Sequence, residues 1–227
     1  MIVRTIAYTL VDQDQMEESG WQPYPFDEEN GPAEPDLLAE FAGRNCYQSW
    51  DRPNPATSEN VDYVANLLLQ QHFSVLEHAS VTFYIAEVSR SFLTELSRHR
   101  HLSLSVLSQR YVDESESEFV LPPGLMWSEH IYNNELAGLH GAMLGMYEKI
   151  FKKMVSAGYS KKQAREAARC VLPNATETQI VATGNMRTWR ELIQKRTGVT
   201  VDAEFRMIAL ELLRQLKEIA PATFQDM

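Results

Sequence analysis

Arg98, His99 and Arg100 stand together, and Ser108, Gln109 and Arg110 close the same thirteen-residue stretch. Arginine is used here without lysine, which suits planar, bidentate recognition of a phosphate or a base edge. Consecutive charges at 98–101 cannot share one helix face, so they splay and can serve several groups at once. Ser103, Ser105 and Ser108 add hydroxyls, and the run holds no Gly or Pro. It reads as a polar loop that floors a ligand, more readily than as a strand. Arg169, Arg187, Arg190 and Arg196 supply further guanidinium groups in the C-terminal half. Two readings stand side by side. One is a specific anion site. The other is a solvated basic face, partly neutralised by Glu95 one helical turn earlier.

The rest of the chain bears on that choice. The 227 residues carry a formal net charge of −10, a poor basis for coating nucleic acid. Concentrated arginines in an acidic chain favour a small anion instead. Apolar residues at 44% and charged residues at 23% match a globular domain, not a disordered one. Cys46 and Cys170 are too few for a disulfide framework and are expected to be buried thiols in a reducing cytoplasm. No signal-peptide pattern and no membrane-length apolar run are visible, so Asn174-Ala175-Thr176 is not read as a glycosylation site. No Gly-rich phosphate fingerprint and no nucleophile elbow occur. His99 and His101, or His72 and His78 with Glu77, lack the spacing of a metal site, so no metal is expected.

The elements that must position these groups follow from periodicity. Alternation predicts strands over 1–11, 81–85, 117–121 and 176–183. Helical spacing predicts short helices at 37–41 and 89–98, and one over 59–71 with Val61, Val64, Leu67 and Leu68 inward. A long helix over 129–157 should turn Leu136, Leu139, Met143, Met146, Ile150 and Met154 inward and stop at Gly158. The three methionines of that stripe read as core packing rather than a cofactor box. Ser160 should cap the next helix, which runs to about Val171; another spans 186–195. The clearest covers 202–219, with Phe205, Ile208, Leu212, Leu213, Leu216 and Ile219 in one stripe. Residues 12–36 read as an acidic loop. The expected fold is α/β or α+β, one domain over residues 1–227, with a central mixed or antiparallel sheet and long packed helices.

Arg98-His99-Arg100, seven residues, then Ser108 resembles the R-H-R-x7-S motif of flavin-dependent thymidylate synthases, and Gln109-Arg110-Tyr111 continues it. The segments 72–78, 41–44, 168–173 and 184–196 are similar to further family segments in the same order, so the resemblance spans roughly residues 38–220. It implies reductive methylation of dUMP to dTMP. The carbon donor is 5,10-methylenetetrahydrofolate, which leaves as tetrahydrofolate, and the hydride comes from FAD reduced by NADPH. It also implies a cytoplasmic homotetramer whose subunits share active sites, which would let a short chain hold FAD without a dinucleotide fingerprint. Nucleic acid and membrane are not expected partners.

Residue by residue, the resemblance implies that Arg196 stabilises negative charge on the pyrimidine at N3 and O4, where uracil C5 must become nucleophilic. Glu95, Leu96, Ser97 and Arg98, then Val106, Leu107, Ser108, Gln109 and Arg110, line dUMP with Arg169 and Arg196. Ser108 lies near the reacting carbons; lacking a neighbouring base, it reads as a hydrogen-bonding group rather than a nucleophile. His72, Ser74, Arg98, His99, Arg100, Val106, Asn185, Met186, Arg187 and Glu191 match FAD contacts. No cysteine nucleophile is needed on this route. Three positions depart from the family pattern: Val106 stands where Gln, Glu or Asn is usual, Glu191 where Asn or His is commoner, and Thr200 replaces a frequent histidine. Weaker FAD retention is the expected consequence. An NADPH:flavin oxidoreductase without methyl transfer, or a nucleotide-binding module, is the alternative.

Overall fold

A computed structural model describes residues 1–24, 31–125 and 135–227. Its centre is a four-stranded antiparallel sheet in the order β1 (Ile2–Tyr8), β2 (Ser80–Ser89), β4 (Glu177–Asn185), β3 (Ser103–Val106). Strand alternation sends Val81, Phe83, Ile85, Ile180 and Ala182 to one face, where all are buried. Helices cover that face: α3 (Asn60–Leu69), α4 (Arg90–Leu96), α7 (Met186–Arg196) and α8 (Ala203–Ile219). Phe83 meets Trp189 edge-on, and Phe92 meets Phe205 edge-on at 4.8 Å, so sheet and helices interlock through aromatic rings.

The fold class, β1, β2, β4, α4, α7 and α8 agree with the sequence reading, and Ser160 closes a full capping box on α6 (Lys161–Ala168). Gly158 follows α5 (Ala137–Ser156) at φ 89°, as a left-handed stop requires. Several expectations fail. The stretch 103–106 is a strand, not a loop: Ser103 and Ser105 face out while Leu104 and Val106 pack on the core. Residues 117–121 form only a single bridge, Phe119 to Thr176. Val61 is exposed, because Tyr63 takes its place on the inward face of α3. Within the presumed loop 12–36, Asp12 accepts a hydrogen bond from the Gln15 amide and starts α1 (Gln13–Glu18). Residues 25–30 of that loop, and 129–134 of the long helix, lie outside the described residues. In α5 only Tyr147 is buried; of the expected stripe Leu139 and Met146 are exposed, and Leu136, Met143, Ile150 and Met154 are half-buried. Cys46 and Cys170 are exposed rather than buried.

The helix foreseen at 37–41 is α2, Glu34–Tyr47, and it extends past its apolar residues because its inward face is charged. Glu40 is fully buried and accepts from Arg44 Nε at 2.5 Å, Asn60 Nδ2 at 2.8 Å and the Tyr24 hydroxyl. Arg44 also donates to the Thr57 carbonyl and stacks on Tyr63 at 4.2 Å. Gly43 must be glycine, since a Cβ would lie 2.7 Å from the Tyr63 hydroxyl oxygen. A buried carboxylate with this many donors is stable, but removing its charge strands Arg44. Glu40→Gln should therefore cost about 3–5 kcal/mol and lower Tm by on the order of 10 °C; calorimetry showing an unchanged Tm would contradict this.

Candidate active site

The β4 strand ends at Asn185, whose side chain accepts from the Thr188 amide and caps α7. One residue earlier, a Cβ on Gly184 would meet Leu102 at 2.7 Å, so glycine lets the arginine-rich segment lie against the strand. Arg98, His99 and Arg100 are thereby set beside α7. With Glu95, His101, Thr188, Glu191, Lys195 and Arg196 they line a cavity of about 430 Å³.

Arg196 is held from several sides. Its Nε donates to His99 Nε2 at 3.0 Å and its Nη1 donates to Glu95 Oε2 at 2.9 Å. The guanidinium lies 4.5 Å from the centre of the Phe205 ring, which His99 also touches edge-on. Glu95 thus neutralises Arg196 and not its own helix turn, which corrects the expected local pairing. Two of five guanidinium N–H donors are used, leaving three for a ligand. Glu191 pairs with Lys195.

Along the outer side of α7, Arg187 reaches Glu77 at 2.5 Å and lines a cleft of about 360 Å³ with His72, Ser74, Cys46 and Tyr47. A smaller cleft joins Asn185, Arg187, His101 and Glu191. Arg98 and Arg100 are exposed and have no ion-pair partner among the described residues. Free guanidinium groups beside the positive end of a helix fit the diphosphate of a dinucleotide. The unpaired guanidinium groups of Arg98 and Arg100 are therefore able to take an anionic cofactor such as FAD. Met186 and Leu96 are buried in the core, so they can offer only backbone groups, and Val106 packs its side chain inward.

The second half of the motif lies elsewhere. The β3 strand carries the chain about 10 Å along β4, from Thr183 to Ile180. Beyond it, Leu107 is fixed by its amide to Gln179 and by Arg90 Nη2 to its carbonyl, both 2.9 Å. Ser108 Oγ accepts weakly from the Arg110 amide at 3.4 Å, and Arg110 pairs with Glu166 on α6 at 2.8 Å. Arg169 follows α6 and lies close enough to Arg90 for their charges to interact. Gln109 is buried with an unpartnered Nε2, and the Nε atoms of Arg90 and Arg110 are also unpartnered. The structure brings Glu95, Arg98, His99, Arg100, Glu191 and Arg196 together, and His72, Ser74 and Arg187 beside them. It does not bring Ser108, Arg110 and Arg169 to that cavity. Ser97 turns its hydroxyl to the Thr94 carbonyl. Half-buried Arg90 and buried Glu114, 3.8 Å apart, carry no signal in the sequence, since an isolated Arg or Glu has no diagnostic spacing.

The fold is α+β, and arginines cluster beyond both ends of its edge strand β3. Residues 30–222 match the model of the family described as "Thymidylate synthase complementing protein". A probable flavin-dependent thymidylate synthase of Mycobacterium phage L5 is 48% identical, covering 100% of this chain and 97% of the relative. That of phage D29 is 50% identical over 100% and 96%. The flavin-dependent thymidylate synthase of Mycobacterium avium is 49% identical over 90% and 82%. The chain belongs to this family of flavin-dependent thymidylate synthases.

Burial, then the charges of Arg196 and Lys195, hold the His99 imidazole below its ordinary pKa. Accepting from Arg196 requires the neutral ring. The unfolded chain takes up this proton near pH 6.5, while the folded chain resists it. The bond's stabilisation is complete above that pH and is lost as pH falls through the folded value. Histidine NMR should find His99 neutral at pH 6.5, with about 1 kcal/mol lost on acidification below its pKa. A protonated His99 at that pH would contradict the assignment.

Proposed function

We propose that the protein converts dUMP to dTMP with 5,10-methylenetetrahydrofolate as carbon donor, releasing tetrahydrofolate, and with NADPH as the reductant of FAD. The observation that carries this is Arg196, fixed between Glu95, His99 and Phe205 with donors to spare. Bound FAD supplies the hydride; the protein orients the partners. Arg98, Arg100, Arg187 and Asn185 hold the cofactor, with His72 and Ser74 along its edge. Arg110, Arg169, Ser108 and Gln109 hold the nucleotide phosphate. Arg196 faces the pyrimidine and stabilises charge at N3 and O4, which makes C5 nucleophilic. Its preset geometry means little reorganisation accompanies that charge.

A homotetramer with shared sites accounts for two features. The residues we assign to nucleotide and to flavin lie beyond opposite ends of β3, a separation that a neighbouring copy completing each site would bridge. The α5 helix also leaves Leu139 and Met146 exposed on one face, apolar surface suited to a second copy of the chain. Residues 1–227 act as one domain. We place the reaction in the cytoplasm, where the free thiols of Cys46 and Cys170 stay reduced.

Supplied with FAD, NADPH, dUMP and methylenetetrahydrofolate, the protein should form dTMP and tetrahydrofolate. Arg196→Ala should lower kcat about 10²–10³-fold with an unchanged circular dichroism spectrum. NADPH oxidation without dTMP would instead identify a flavin oxidoreductase, and an active variant would exclude the role of Arg196.

A further inference from the structure

The C-terminal segment after α8 is built as a lock. Ala222, Thr223 and Phe224 are buried. Asp36, fully buried at the start of α2, accepts from the Ala222 amide at 2.8 Å, the Thr223 amide at 2.9 Å and the Thr223 hydroxyl at 2.5 Å. From the other side comes Arg190, a buried residue in the middle of α7. Its two terminal nitrogens grip both oxygens of Asp226, at 2.7 and 2.8 Å, and one also donates to the Thr223 carbonyl. Phe224 packs below the guanidinium. Arg190 in turn holds the Asp226 carboxyl below its ordinary range, chiefly by hydrogen bonding.

The same arginine borders the flavin cleft. With Phe73, Arg187, Glu191 and Gln194 it lines a cavity of about 160 Å³. Phe73 stands between His72 and Ser74, while Arg187 and Glu191 are its helix neighbours at −3 and +1. Without Asp226, Arg190 would be a buried charge with one neutral acceptor and an adjoining cavity to turn into. There it would meet the like charge of Arg187 and compete for Glu77.

We propose that Asp226 is a positioning residue of the flavin site: by clamping Arg190 against the C-terminal tail it keeps a second guanidinium out of the cleft that Arg187 lines. The inference rests on the assignment of that cleft to FAD. It does not touch the nucleotide subsite at Arg110 and Arg169, which lies at the far end of β3. That difference separates positioning from general stability.

Asp226 is half exposed, so its removal leaves the core filled. FAD affinity is read by flavin fluorescence, and dUMP affinity of the FAD-loaded protein by calorimetry. Asp226→Ala should weaken FAD binding about tenfold while dUMP affinity stays within about twofold. Asp226→Glu, which keeps the carboxylate, should restore most of the loss. Should the alanine variant fail to fold, Asp226→Asn is read in the same way. Unchanged FAD affinity, or equal loss of both affinities, overturns the clamp. A wild-type protein that binds no FAD overturns the cleft assignment and this inference with it.

Discussion

One guanidinium organises the site. Arg196 reaches between α4 and α8, taking a carboxylate from Glu95, an imidazole lone pair from His99 and a ring face from Phe205. Each of those partners is fixed by something else. Phe205 sits under Phe92 in the core, and α4 is started by Ser89, whose hydroxyl caps it while donating to Glu204 on α8. The charge is therefore placed by the same packing that closes the sheet's helical face. A longer or looser side chain there would lose pre-organisation before it lost stability.

Around that group, the fold uses buried ions to hold helices whose apolar faces are thin. The α2 helix is fixed by Glu40 and Arg44, and the C-terminal tail by Asp36 and Arg190. Both clusters are costly if broken and weak as net stabilisers, so their value lies in setting one arrangement. Two of them flank the ligand clefts: α2 ends at Cys46 and Tyr47 beside His72, and Arg190 borders Arg187.

Much of this was legible in the residues, for identifiable reasons. Strong periodicity predicted α8, β2 and β4, because one buried stripe or alternation dominates each. The α2 helix was foreshortened because its inward residues are Asp36, Glu40 and Arg44, which no hydrophobic pattern detects. Ser103–Val106 alternates as a strand should, yet four residues of serine and aliphatic among arginines read as a loop. Pairing with Thr183–Ile180 decides it, and such pairing is tertiary. The family resemblance already divides the run from Arg98 to Arg110, giving its Arg-His-Arg end to the flavin and its Ser108 end to the nucleotide. With β3 a strand, Arg98–Arg100 and Ser108–Arg110 stand beyond its opposite ends. Val106 is the link, with its side chain turned inward, which explains why an apolar residue serves there. The inward stripe expected on α5 fails at Leu139 and Met146, which are exposed.

The account stands on the division of the motif between two copies. Co-expression of Arg196→Ala and Arg169→Ala chains measures it directly, since each parent lacks one half of every site. If copies share sites, mixed assemblies should recover about a quarter of the wild-type dTMP-forming rate, because one site in four draws both intact arginines. A mixture as inactive as its parents would show that a single chain holds the complete site, contrary to the geometry described.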